Sequence, residues 1–446
     1  MNDVPSLSAL LIQGKDDRLK LDEHGYNSYG CQAKPKPNLL RFGSSTASNI
    51  SSEQWIYAQR LHANMLQDAK KTCLANVQQA HTQIILKKLR QTCHLAKDTD
   101  IQLADSGTAA HQLAMQQFCR KKPHAAWHII MVDALETGRG VPKALCLSDH
   151  KITAENIAIR QISGEPLPPH QIQKAFELAI QRALQKDLQV VLLMVDVSKT
   201  GYIAPSLATV LELRQKYPQH IHILLDACQF RFSIETLNDY LQHDIVIAIT
   251  GSKFLAAPSF CAALLIPHQT QQVQEPQALG VLLRWHLALN TLQTLNTLST
   301  DSSATLMQTL ASNIQSLLQQ DKRLTALPTP SIQRPQHDQI HWQNLPTIFP
   351  FFIKTDQGFL SHQQALSIFQ KLQCDKKQPI QLGRPMPFVI NLEHEPVGVF
   401  RLCISAPMMI DMVEKEAYQD IIEHVVYIIQ KLNEMLVQTL TESRGE

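Results

Sequence analysis

The chain has 446 residues, 44% of them hydrophobic and 18% charged, with a formal net charge of +2. That length is too great for one simple core and suits two packed domains. The near-neutral balance excludes the strong field of a nucleic-acid or anionic-membrane binder. The longest apolar runs are of strand length and too short to span a bilayer. Met1-Asn2-Asp3-Val4-Pro5 lacks a signal-peptide pattern. The nine cysteines show no CxxC spacing. They point to reduced thiols and a cytoplasmic setting, with neither a disulfide framework nor a metal site.

Residues 1–50 are rich in Ser, Asn, Gly, Lys and Pro and read as an N-terminal arm, extended at Lys34-Pro35-Lys36-Pro37. Ser51 or Ser52 caps a helical stretch over 52–95. A strand over 101–104 leads through Asp105-Ser106-Gly107-Thr108 into a helix ending near Arg120. A strand over 128–132, a helix over 166–186 and an apolar run over 190–195 follow, the last with the pattern of a fully buried parallel strand. Helices over 206–217 and 234–241 then alternate with strands over 221–225, 245–249 and 261–266. This alternation predicts an α/β domain over 51–280 with a mainly parallel sheet. A long helical stretch over 279–321 links it to a smaller α+β domain within 281–446. There, helices over 362–372 and 413–439 mix with strands over 348–353, 388–391 and 399–404.

Asp226 closes one apolar strand, and Lys253 follows the next, after Thr250-Gly251-Ser252. Two parallel strands of this kind carry an acid and an amine to the same end of a sheet. Pyridoxal phosphate (PLP) needs that pair: a lysine for the Schiff base, and an aspartate that keeps the pyridine nitrogen protonated so that the ring acts as an electron sink. The apolar flanks of Lys253 favour a desolvated, nucleophilic amine over a solvated surface lysine. Ser106-Gly107-Thr108 offers free backbone N–H groups and a glycine that lets a phosphate approach closely. The same pattern also reads as plain helix capping. Gln229 is either a ligand of the cofactor's phenolic oxygen or an exposed loop amide.

With these motifs in this order, the chain resembles the fold-type I PLP-dependent enzymes. Within them it resembles the class V aminotransferase group, which includes cysteine desulfurases and kynureninases. Asp226-Ala227-Cys228-Gln229 resembles the group's Asp-Ala-Ala-Gln segment, and Thr250-Gly251-Ser252-Lys253 its Ser-x-His-Lys segment. Val197-Ser198-Lys199-Thr200-Gly201 resembles an Asn-containing segment, with Ser198 in the place of Asn. The match spans roughly residues 100–270.

The resemblance implies a PLP-dependent transferase-like fold, an amino-acid or related amine substrate and a homodimer. Lys253 is then the Schiff-base lysine, Asp226 the partner of the ring nitrogen and Gln229 that of the phenolic oxygen. Ser106, Gly107, Thr108 and Thr250 hold the phosphate, and Ser198 and Ser252 complete the cofactor's surroundings. Arg401 in Phe400-Arg401-Leu402 binds the substrate carboxylate, with Arg384 as the alternative fork. Ser252 replaces the His found before the lysine in desulfurases. No ring stands near Glu136 or Thr137, where a stacking aromatic falls, which leaves Thr137 as the candidate for that face. His111 and His128 read as structural. The expected activity is that of an aminotransferase or a carbon–heteroatom or carbon–carbon lyase. The alternatives are a PLP-binding protein with little or no turnover and a desulfurase-like enzyme. Cys374, at a helix end in a basic turn, lacks the small-residue loop that a desulfurase needs. A nucleotide-binding Rossmann-type enzyme is disfavoured because no Gly-x-Gly-x-x-Gly turn is present.

Overall fold

The computed structural model describes residues 4–14, 16–334, 341–356, 358–390 and 395–442, with the side chains of 440–442 left out. The first residues read against a signal peptide, Met1 to Asp3, and the end of the expected 388–391 strand, Asn391, lie outside these. No helix among the described residues is long and apolar enough to cross a membrane.

A short strand, β1 (Leu40–Phe42), precedes the main alternation. The large sheet is built from β2 (Asp100–Ala104), β3 (Trp127–Val132), β4 (Ile152–Ile157), β5 (Gln189–Val195), β6 (Ile221–Ala227), β7 (Val246–Thr250) and β8 (Ala262–Ile266). Their order is β2-β8-β7-β6-β5-β3-β4, with β8 antiparallel to both neighbours and the other pairs parallel. Alternate residues serve opposite faces, as strand geometry requires. Ile130, Val132, Leu192 and Met194 enter one core, while Ile129, Met131, Val191 and Leu193 enter the other. Both faces are therefore covered, which explains the continuous apolar run of β5. β4 has no such run. It is an edge strand with largely exposed side chains, so no apolar pattern announced it.

Two stretches expected as single helical units are pairs of helices. Residues 52–95 divide into Ser52–Lys71 and Leu74–Thr92, and Ser51 with Gln54 forms a capping box at the start. Residues 279–321 divide into Leu279–Thr297 and Thr300–Gln320, where Leu298 and Ser299 are extended and the Ser299 hydroxyl caps the second helix. The N-terminal segment folds on its own chain. Leu7, Leu10 and Leu11 of a short helix (Leu7–Leu11) are buried, and the fully buried guanidinium of Arg284 donates to the carbonyls of Leu10, Leu11 and Gln13 at 3.1, 3.1 and 2.8 Å. That arginine supplies donors to carbonyls that a helix end leaves unpaired.

The C-terminal sheet contains β9 (Leu324–Ala326), β10 (Ile348–Thr355), β11 (Gly358–Phe359), β12 (Ile380–Phe388) and β13 (Val397–Cys403). Its order is β1-β12-β13-β10-β11, with β9 on β10, so residues 40–42 complete a sheet made otherwise from beyond residue 320. β12 carries Gly383, Pro385 and Pro387 and a register shift between Gly383 and Met386. Those residues conceal a strand in the sequence. A buried ion pair ties the regions together: Arg334 Nη2 and Nε reach Asp196 Oδ1 and Oδ2 at 2.6 and 2.8 Å, and the Tyr240 hydroxyl donates to Oδ2 at 2.7 Å.

Candidate active site

The carboxyl ends of β6 and β7 carry Asp226 and Thr250. Asp226 is 5% exposed. Its Oδ1 accepts the Cys228 N–H at 3.1 Å, and its Oδ2 lies 3.6 Å from His111 Nε2. His111, on the helix Gly107–Lys121, donates from Nδ1 to the Gly107 carbonyl at 2.7 Å, which turns Nε2 toward the aspartate. Burial pushes the Asp226 carboxyl up, but His111, Lys253 and the Cys228 N–H outweigh it and hold it below its ordinary range. Asp226 is therefore a buried acceptor that stays ionised.

Gly107 opens that helix at a point of close approach. A Cβ there would stand 2.7 Å from Cys228 Sγ and 3.3 Å from Thr250 Cγ2, so three separate motifs converge on it. Ser106 caps the helix, its hydroxyl accepting from Ala109 N–H at 3.3 Å. Thr108 Oγ1 lies 3.4 Å from Arg18 Nη2. The Thr250 hydroxyl donates to the Cys228 carbonyl at 2.6 Å. Lys253 is partly buried, and its side-chain amine makes no hydrogen bond or ion pair with the described residues.

These groups line a cavity of about 360 Å³ between the large and small sheets. It brings together Ser106, Gly107, Thr108, Asp226, Thr250, Ser252, Lys253, Arg384 and Arg401. Gly383 pairs with Arg401 across β12 and β13, which sets the two arginines side by side. Arg401 is 2% exposed and meets no carboxylate among the described residues. Its Nη1 and Nη2 donate to the Ser45 and Thr46 hydroxyls at 3.1 Å each, Nη2 also reaches the Arg384 carbonyl, and Nε has no partner among the described residues. Burial pushes Arg401 down to about 10. Arg384 binds the Ser28 carbonyl at 2.6 Å.

Three candidates do not line the cavity. The Ser198 hydroxyl donates to Glu136 Oε2 at 2.7 Å. Gln229 donates to the Ser45 carbonyl at 2.9 Å and accepts from Arg231 Nε at 3.2 Å. Thr137 is buried with an unpartnered hydroxyl. His128 bonds Thr153 Oγ1 at 2.7 Å on the sheet edge, and Cys374 is exposed at a helix end. Among the described residues no cluster of His, Cys, Asp or Glu suits a metal ion.

The cavity also holds Arg18, Arg139 and Lys199, to which the sequence reading gave no role. Lys199 follows β5, and its Nζ lies 3.5 Å from the Leu135 carbonyl. Burial and the like charges of Arg401, Lys253 and Arg139 push this amine down to about 7, against an opposing pull from Glu136. Its place next to Ser198 in the quoted segment was the available signal.

No family profile and no curated protein matches the sequence. Solved structures do match. A NifS-like protein aligns with a TM-score of 0.56 and 12% identity, over 88% of this chain and 99% of that one. The cysteine desulfurase CsdA from Escherichia coli aligns at 0.55 and 12%, over 89% and 94%. The fold is that of the fold-type I PLP-dependent enzymes. The same fold-type I frame appears in TDC from Oryza sativa, solved with PLP, at a TM-score of 0.54 and 12% identity over 90% and 84% of the two chains. These structures match about equally well, and the fold-type I frame alone does not set the reaction.

Proposed function

We propose that this chain is a PLP-dependent enzyme acting on an amino acid or a related amine, as an aminotransferase or a lyase. The observation that carries the reading is the convergence, on one cavity, of an unpaired Lys253 amine, the ionised Asp226 and a Gly107 turn with no room for a Cβ. The residues present fit the cofactor. The turn at 106–108 presents N–H groups to a phosphate, Lys253 would hold the aldehyde carbon, and Asp226 would keep a proton on the ring nitrogen. When bound, PLP supplies an electron sink for the substrate's α-carbon.

Each residue then has a definite task. Lys253 Nζ takes or returns a proton at the substrate α-carbon. The Asp226 carboxylate is fixed by the Cys228 N–H and flanked by His111, which favour its charged form. The Arg401 guanidinium, with no carboxylate of its own, orients the substrate α-carboxylate, and Arg384 stands beside it. Thr250 and Ser252 complete the turn before Lys253. Ser198 and Gln229 act through the loops they fasten, at Glu136 and Ser45. A homodimer and a cytoplasmic setting belong to the same proposal, and gel filtration checks the first.

The test is the visible spectrum of the purified protein after incubation with PLP, then borohydride reduction and peptide mapping. A yellow protein bleached by borohydride, with the pyridoxyl group on Lys253, supports the reading. A protein that stays colourless, or a Lys253→Ala variant labelled as well as the parent, overturns it.

A further inference from the structure

The cavity carries more positive charge than a PLP enzyme acting on a neutral amino acid has use for. Arg18 is matched by a bidentate pair with Asp16. Asp226 is the sole carboxylate among the described lining residues. Glu136 lies behind the wall, where Arg160, Ser198 and Thr200 already occupy its oxygens at 2.9, 2.7 and 2.6 Å. Arg139, Lys199, Lys253, Arg384 and Arg401 have no carboxylate partner among the described residues. A phosphate ester brings about two negative charges, and one α-carboxylate brings a third. Even with Lys253 given over to the cofactor, cationic charge remains.

We propose that Lys199, with Arg139 at the rim, forms a second anion subsite beside the Arg401 that takes the α-carboxylate, so that the substrate is an amino acid whose side chain carries a carboxylate. Three features carry this. Lys199 projects into the cavity, where the Leu135 carbonyl is the one hydrogen-bond partner of its Nζ among the described residues. Arg401 is buried with its Nε unpartnered, a polar atom that costs free energy until something accepts from it. The cations come from separate elements, β12, β13, the loop after β3 and the loop after β5, so the fold holds like charges together that would otherwise separate. The groups facing Lys199 are Arg401, Lys253, Arg139 and, across the wall, Glu136, and together with burial they bring the amine to about 7. An anion placed among them relieves the crowding, so binding takes up a proton and weakens as pH rises above neutrality.

This inference rests on the proposed PLP chemistry, and the experiment separates the two. The PLP-loaded protein is titrated with aspartate and glutamate and with their amides, following the cofactor's absorbance. The acids are expected to bind about tenfold or more tighter than the amides. Lys199→Met should bring the two within about threefold without altering the spectrum of the resting protein, and Lys199→Arg should restore the difference. Equal binding of acids and amides by the parent, or equal weakening of both in Lys199→Met, overturns the subsite. If the protein takes up no PLP, the enzymatic reading fails, and calorimetry of the apoprotein with glutarate and butyrate decides the subsite alone. A preference for glutarate that Lys199→Met abolishes supports it, and no preference overturns it.

Discussion

Gly107→Ala is the sharpest test of how the turn proposed for the cofactor is built. The new Cβ falls 2.7 Å from Cys228 Sγ, whereas unstrained contacts between such atoms lie at about 3.5–4.0 Å. About 1 Å of displacement is required, and neither side yields easily. Cys228 is pinned by its N–H to Asp226 and by its carbonyl to the Thr250 hydroxyl. The opposing gain in helix propensity from Gly to Ala is at most about 1 kcal/mol and smaller in a first turn. Overpacking of this kind costs about 1–3 kcal/mol, so the clash wins. Any relief that moves Cys228 also moves Asp226, so PLP affinity should fall with stability. Cys228→Ala removes the sulfur and leaves the residue's own Cβ 3.7 Å from the new methyl, an ordinary contact. The double variant Gly107→Ala/Cys228→Ala should therefore be more stable than the sum of the singles by about 1–2 kcal/mol, read from urea midpoints of the four proteins. Additivity to within about 0.5 kcal/mol would refute the reasoning, because the sulfur would then not be the obstacle.

Other outcomes follow from buried charge. Arg334→Met strands the Asp196 carboxylate with only the Tyr240 hydroxyl, in a pair whose side chains are 0% exposed, and should cost about 3–5 kcal/mol by urea denaturation. Lys199, held near 7 against an ordinary 10.5, is neutral in the folded chain over a range where the unfolded chain keeps its proton. Stability should rise with pH between those two values, and the Lys199→Met variant should lose that part of the slope in urea midpoints taken across the range. Glu136→Gln removes the one charge that pulls Lys199 upward, so the pH at which the protein loses its preference for acidic ligands should move down in spectral titrations. An unchanged midpoint would separate Glu136 from Lys199.

The part of this architecture that the sequence displayed is the part built from continuous apolar strands. β5, β6 and β7 are buried on both faces, so their apolar runs stood out, and Asp226 and Lys253 stood out as the polar groups that end them. What stayed hidden has two physical origins. One is the course of the turns that follow the strands. Asp226 and Cys228 line the cavity, whereas Gln229, in the turn after β6, points to Ser45. In the turn after β5, Lys199 faces the cavity while Ser198 and Thr200 face Glu136. Resemblance placed Ser198 and Gln229 at the cofactor because it matched the segments without asking which side each residue faces. The other origin is distance along the chain. Ser45 and Thr46 come from a segment that reads as a loose arm, and they meet Arg384 and Arg401 where β1 pairs with β12. A net charge of +2 over 446 residues gives no hint that the cations gather in one cavity. The burial and crowding that bring Lys199 to about 7 are properties of that gathering and of no single segment. For that reason the charge proposed for the substrate, unlike the anchor proposed for the cofactor, shows only in the folded chain.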